Sequence, residues 1–173
     1  AGNLGTASPI GDTLPLLLAL DSKVVLEGKK KRVIPINSFF LSYRKTKLKR
    51  GQFISKIVIP LFPKNFFFAK KISKRWDDDI SSVLLAFNAE IKGQLIKKIN
   101  IAMGGMDLRP KRAHKCENIL LNSPITEKII DKAKESLRED FSPISDVRAS
   151  KRYRITVAQN LLEKAMVEMK QKT

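Results

Sequence analysis

The first twelve residues, AGNLGTASPIGD, gather groups that could bind a ligand but not transform one. Asn3, Thr6 and Ser8 offer an amide and two hydroxyls, and the glycines leave backbone N–H groups uncovered. Asp12 is the first charge of the chain and stands just before an apolar run. Exposed amides, hydroxyls and one carboxylate at a helix start suit a phosphate- or ribose-bearing molecule. A Gly/Ser-rich linker has the same composition. A second segment, KKISKRWDDDIS over residues 70–81, sets Lys70, Lys71, Lys74 and Arg75 beside three consecutive aspartates. Adjacent like charges are unfavourable unless compensated, so Lys74 and Arg75 are the expected partners of the aspartates, in ion pairs worth little each. The aspartates could hold Mg²⁺, but no second acidic cluster completes such a site.

The remaining reactive side chains read as structural. His114 is surrounded by Lys111, Arg112 and Lys115 and is expected at the surface, while Cys116 falls in an amphipathic helix as a small buried hydrophobe. No P-loop, nucleophile elbow, HExxH or CxxC pair occurs. One Cys and one His in 173 residues exclude a disulfide framework and leave too few soft ligands for a typical zinc or iron–sulfur site. No catalytic residue and no metal ligand is therefore expected.

The elements that must position these segments are legible in the hydrophobic pattern. Leu14–Leu20 reads as a short buried helix, with Asp12 or Thr13 as N-cap and Pro15 in its first turn. Lys23–Glu27 and Arg32–Ile36 are β-rich runs around a Gly28–Lys31 turn, a hairpin; Asn37–Leu41 reads as a helical turn or loop. Gln52–Ile59 alternates at period two and stops at Pro60, a half-buried strand. Pro60–Asn65 carries two prolines in six residues and marks a boundary. Beyond it, Phe66–Ser73, Ile80–Ile91 and Ile96–Met103 predict a three-stranded antiparallel meander ended by Gly104-Gly105. Residues 113–121, 126–139 and 152–170 then carry apolar positions at helical spacing, including Val157, Leu161, Leu162, Ala165, Met166 and Met169 on one face of the last. The class is α+β.

Charge is abundant but does not point to nucleic acid. There are 34 Lys+Arg against 17 Asp+Glu, a formal net charge of +17. The surplus is front-loaded: residues 1–65 hold 12 basic and 3 acidic residues, 66–121 hold 11 and 6, and 122–173 hold 11 and 8. The dense runs, Lys29–Arg32 and Arg44–Arg50, are flanked by turn formers or polar residues and read as a solvated hairpin tip and loop. Aromatic residues do not interleave them as a base-stacking platform requires. No apolar run reaches the roughly 18–20 residues of a spanning helix, so no membrane partner is expected, and the default location is cytoplasmic. The chain opens without Met, which suggests a piece of a longer protein.

Five ordered segments carry a resemblance that composition alone would not reveal. GNLGTASPIGDTLPLLLALDS resembles the GGN-x-x-x-x-SPIGD segment in the flavin domain of xanthine dehydrogenases and other molybdenum hydroxylases. FFLSYRKTKLKRGQFISKIVIP is similar to the stretch that follows it in the bacterial FAD-binding small subunits. KISKRWDDDIS, IAMGGMDLRPKRA and DFSPISDVRASKRYR resemble the later signatures, in the same order. The first Gly of the family's GGN is Ala1 here.

The resemblance implies the second α/β subdomain of a two-part FAD-binding domain at residues 1–63. A C-terminal flavoprotein domain at residues 64–173 follows, with a three-stranded antiparallel sheet and helices on one face. The first FAD subdomain, with its Gly-rich pyrophosphate loop, and the preceding [2Fe–2S] region are not covered, so a split gene product or truncated remnant is expected. Carried over by position, Gly2 and Asn3 form the turn that approaches the flavin, Thr6 lies near the FAD phosphates, and Asp12 binds ribityl or ribose hydroxyls. Ile54 packs on FAD, and Lys71 contacts it. The Arg75–Asp79 loop lies near the flavin face used by NAD⁺, where it tunes electrostatics.

The implied activity is that of an FAD-dependent oxidoreductase subunit, inactive as an isolated fragment. Xanthine or hypoxanthine is hydroxylated at a molybdenum cofactor on a large partner subunit. Electrons pass through [2Fe–2S] clusters to FAD and then to NAD⁺. The alternative is a truncated, non-catalytic remnant or scaffold that does not bind FAD alone.

Overall fold

The computed structural model describes residues 2–76 and 79–172. Its first half opens with a single helical turn, α1 (Gly2–Gly5), and a short helix, α2 (Thr13–Ala19), whose Leu14, Pro15, Leu17, Leu18 and Ala19 are buried. Strands β1 (Lys23–Glu27) and β2 (Arg32–Pro35) form the expected hairpin, with Val24 opposite Ile34 and Val25 opposite Val33. Lys29, Lys30 and Lys31 stand exposed at its tip. A 3₁₀ turn (Ile36–Ser38) and the small pair β3 (Phe40–Ser42) and β4 (Lys45–Thr46) follow. Strand β5 (Phe53–Val58) returns antiparallel to β1, giving a sheet in the order β2-β1-β5.

The β1–β5 register departs from the plain alternation of the sequence. Val24 faces Ile57, Val25 faces Lys56 and Leu26 faces Ile54, so Ser55 is an extra residue, a β-bulge. Its hydroxyl donates to the Val25 carbonyl at 3.2 Å. The bulge puts Ile54 and Ile57 on one face, where strict period two would have separated them.

The second half is built on β6 (Phe66–Ile72), β7 (Val83–Lys92) and β8 (Leu95–Gly104), the expected meander, extended by a two-residue fourth strand, β9 (Lys111–Arg112). Helices α3 (His114–Leu120), α4 (Glu127–Asp140) and α5 (Lys151–Gln171) cover one face. Thr126 caps α4 by accepting from Ile129 N, and Ser150 caps α5 by accepting from Tyr153 N. The start of α3 is capped from a distance: the Asp140 carboxylate accepts from Lys115 N and Cys116 N at 3.0 and 2.9 Å. Val83, Leu85, Phe87 and Ala89 of β7 join Leu137, Leu161, Leu162 and Met166 in a core on that side.

The opposite face is also covered. Leu84, Ala86 and Ala102 belong to a second core with Leu14, Leu18, Val24, Leu26 and Phe39 of the first half. Strand β7 is thus buried on both faces, which is why Val83–Ala86 reads as an unbroken apolar run. Helix α2 lies so close to β8 that a Cβ at Gly104 would come within 3.1 Å of Pro15 Cγ. Among the described residues no helix is long and apolar enough to cross a membrane.

Candidate functional site

The ligand-binding groups of the first segment are drawn together by α1 and the start of α2. Thr6 Oγ1 donates to the Gly2 carbonyl at 3.0 Å and closes the turn. A Cβ at Gly2 or Gly5 would meet nothing within 4 Å, so this backbone is open to an approaching molecule. Gly11 serves the opposite purpose: a Cβ there would stand 2.9 Å from Asn3 Cβ, so only glycine lets residues 11–12 pack against α1.

Asp12 precedes α2 but does not cap it. Its backbone is already helical (φ −63°, ψ −34°) and its carboxylate makes no bond to the first turn, contrary to the expected N-cap. Instead Asp12 Oδ2 accepts from Lys71 Nζ at 2.9 Å, and Oδ1 accepts from the Ser81 hydroxyl. Lys71 comes from β6 and Ser81 from the approach to β7, whose connecting loop is closed by Ser82 N donating to Ile72 O at 2.8 Å. The Asp12 and Lys71 side chains keep 41 % and 37 % of their surface in solvent. An ion pair that open contributes little to stability, but it leaves acceptor and donor positions accessible to a ligand.

Two clefts flank this centre. One, of about 420 Å³, is lined by Ser8, Pro9 and Ile10 of the first segment, by Tyr43 and Arg44, and by the buried Arg154. The other, of about 470 Å³, is lined by Gly2, Asn3, Leu4, Thr13, Leu17 and Ile57. The structure thus brings Asp12 and Lys71 into contact and gathers Gly2, Asn3 and Thr6 in one turn. Ile54 lies apart on β5, half-buried against the second core, on the sheet face it shares with Ile57.

The loop after β6 is organised differently from the sequence expectation. Asp79 Oδ2 accepts from Arg75 N at 2.9 Å and its Oδ1 from Ile80 N at 2.8 Å. The Arg75 amide, with the amides of Ile80 and Lys74 and the Arg75 charge, outweighs desolvation and holds the Asp79 carboxyl below its ordinary value. Lys74 is not an aspartate partner among the described residues; its ammonium donates to the Val147 carbonyl at 2.7 Å. Asp77 and Asp78 lie outside the described residues. Trp76 is 98 % exposed. Cys116 is wholly buried and burial pushes its thiol up, which leaves it inert, while His114 is exposed with Nδ1 3.1 Å from Glu117 Oε2.

Sequence reasoning missed Ser81 and Arg154. Ser81 was in view, as the last residue of the second segment, but a serine beside a loop carries no signal of its own. Arg154 did leave a trace. It precedes Ala158, Leu161, Leu162 and Ala165 at helical spacing, so it occupies the apolar stripe of α5 although its neighbours Lys151 and Arg152 suggest a surface.

Antiparallel sheets, a glycine-rich turn and an open acid–base pair beside it define a candidate ligand-binding module. Comparison with known families gives that module its place. Residues 1–62 match the FAD binding domain in molybdopterin dehydrogenase, and residues 68–169 match the CO dehydrogenase flavoprotein C-terminal domain. The chain belongs to this family of flavoproteins. It is 36 % identical over 170 residues to the nicotinate hydroxylase hnxS of Emericella nidulans, covering 93 % of this chain and 13 % of that protein. It is 32 % identical over 159 residues to the xanthine dehydrogenase of Dictyostelium discoideum, covering 81 % of this chain and 12 % of that one. The chain therefore spans only about an eighth of the length of these relatives. The fold superposes on a chain of carbon monoxide dehydrogenase from Hydrogenophaga pseudoflava with a TM-score of 0.90 at 23 % identity, covering 95 % of this chain and 58 % of that one.

Proposed function

We propose that this chain supplies one wall of the FAD site of a xanthine dehydrogenase-type molybdenum hydroxylase. The observation that carries the reading is the meeting of Asp12, Lys71 and Ser81, which stand 59 and 69 residues from Asp12 in sequence, beside an open glycine-rich turn. The residues fit the cofactor. Asp12 accepts from ribityl or ribose hydroxyls, Lys71 faces a phosphate or flavin carbonyl, and the uncovered backbone of Gly2 and Asn3 admits the ring system. Thr6, whose hydroxyl proton is held by the Gly2 carbonyl, shapes the turn that lies near the phosphates. Ile54, set apart on β5, backs Ile57 of the cleft beside Gly2 and Asn3 on one sheet face, and together they would give a dry wall where apolar contact replaces water.

When bound, FAD supplies the electron exchange that links [2Fe–2S] clusters to NAD⁺ during hydroxylation of xanthine or hypoxanthine at a molybdenum cofactor on a large partner subunit. The cleft lined by Tyr43 and Arg44 gives an acceptor an aromatic face and a cation next to that wall. The chain's own residues bind, orient and exclude water, and none of them takes part covalently. The other half of the site, with the donors for the pyrophosphate, belongs to a first FAD subdomain, and the assembly is cytoplasmic.

The test is FAD retention by the intact flavoprotein carrying Asp12→Ala. Loss of a charge-assisted hydrogen bond is worth roughly 1.5–3 kcal/mol, about ten- to a hundredfold in affinity. Flavin absorbance after dialysis is expected to fall with the fold retained. Unchanged flavin content would defeat the assignment of Asp12.

A further inference from the structure

We propose that Arg154 is a positioning residue for Asp12, acting through the backbone at Ser82 and Gly105. The inference rests on the reading of Asp12 as a FAD ligand. Arg154 rises from the first turn of α5 and is 1 % exposed. Its Nη1 donates to the Ser82 carbonyl and, at 3.0 Å, to the Gly105 carbonyl, and its Nη2 donates to Asp146 Oδ1 at 2.7 Å. One planar guanidinium therefore ties together the end of the β6–β7 loop, the exit of β8 and the loop before α5.

Both backbone grips lead to the same carboxylate. Ser82 follows Ser81, whose hydroxyl donates to Asp12 Oδ1. Gly105 N donates to the Pro9 carbonyl at 2.8 Å, three residues before Asp12. Gly105 has no tolerance for change: its φ is +76°, and a Cβ there would fall on the Ser82 carbonyl oxygen and stand 3.0 Å from Arg154 Nη1. The backbone has been brought so close at this point that the guanidinium can grip two carbonyls at once.

Stability alone does not account for an arginine here. It interrupts the apolar stripe of α5, and its Nε is buried with no hydrogen-bond partner among the described residues. Burying an incompletely satisfied charge costs more than filling the same space with an apolar side chain. What the guanidinium provides is a rigid fork that holds two carbonyls and a carboxylate at fixed angles. A lysine, with one mobile point charge, cannot reproduce it.

A double-mutant cycle in the intact flavoprotein tests this. FAD affinity is read by flavin fluorescence for Arg154→Lys, Ser81→Ala, the double variant and Asp12→Ala, with thermal midpoints of the apoproteins alongside. Each single change is expected to weaken FAD by about fivefold or more, and the double to stay within about twofold of the weaker single, because residues on one path do not add. Should Arg154→Lys fail to fold, Asp146→Asn loosens the third hold on the same guanidinium and is expected to show the same non-additivity with Ser81→Ala. A merely structural arginine would lower the apoprotein midpoint and leave FAD affinity unchanged, or its loss would multiply with that of Ser81→Ala; either result overturns the proposal. If Asp12→Ala itself leaves affinity intact, the flavin reading falls and the proposal with it. Loss in Asp12→Ala with none in Arg154→Lys removes the proposal alone.

Discussion

Asp146 shows how one carboxylate can make a buried cation tolerable. Burial pushes its carboxyl up, but the amides of Arg148 and Ala149 and the Arg154 guanidinium outweigh this and hold it below its ordinary value of 3.8. A depressed folded-state value means that the charged form stabilises the fold above about pH 4, and that this contribution is lost as pH falls through the lower folded value. The thermal midpoint of Asp146→Asn is therefore expected to lie below that of the parent at pH 7. The gap should narrow as the pH is taken from 5 to 3. A gap independent of pH would mean that the hydrogen bonds of Asp146, and not its charge, carry the effect. At this scale the sequence exposes single polar residues near glycines, such as Asn3, Thr6 and Asp12, because their setting is local. It hides Ser81 and Arg154, whose roles exist only once segments about 70 residues apart have met.

Helix α2 is fastened to the second half by a cross-strand pair of asparagines. Asn88 and Asn100 stand opposite each other on β7 and β8, and both donate to the carbonyl of Ala19, the last residue of α2, at 3.3 and 2.9 Å. Asn88 Oδ1 also accepts from Asn65 at 3.0 Å, and Asn100 donates to Asp21 at 2.8 Å. Asn88→Ala leaves the Asn65 amide without this acceptor and takes one donor from a helix end. The expected cost is about 1–2 kcal/mol, roughly 2–8 °C in Tm for a chain of this size. Circular dichroism melting checks it, and an unmoved midpoint would show that the Asn88 bonds add nothing to the hold that Asn100 keeps on Ala19. The elements themselves were largely legible, since β-branched runs and helical stripes are properties of short windows. Strand β9 was not, because Lys111–Arg112 is too short to carry a pattern and exists only through pairing of Ala102 with Arg112 and Met103 with Lys111. Nor was the bulge at Ser55, which changes the register without changing residue type.

Across the whole molecule, the proline-rich stretch before Asn65 suggests a division that the packing only partly respects. We propose that residues 64–173 fold on their own, since β6–β8 and α3–α5 enclose a complete core on one side of the sheet. The other side tells against full independence. Leu84, Ala86 and Ala102 lie in the core built with α2, and Asn88 and Asn100 would lose the Ala19 carbonyl. The polar bridges Asp12–Lys71 and Arg112–Asp21, at 2.9 and 3.3 Å, cross the same boundary. Each has a partner with more than a third of its side chain in solvent, so neither contributes much to stability. The apolar face matters more: uncovering one leucine and two alanines is worth about 2–4 kcal/mol, or roughly 10–20 °C in Tm for about a hundred residues. The isolated piece should therefore melt cooperatively, at a midpoint lower by that margin than the 173-residue chain, and should bind a hydrophobic dye that the longer chain excludes. Calorimetry on both pieces reads the first expectation and dye fluorescence the second. A broad, non-cooperative transition would mean that α2 is part of the only viable core. A midpoint equal to that of the full chain would mean that the shared face contributes nothing, and the boundary would then separate two independent units.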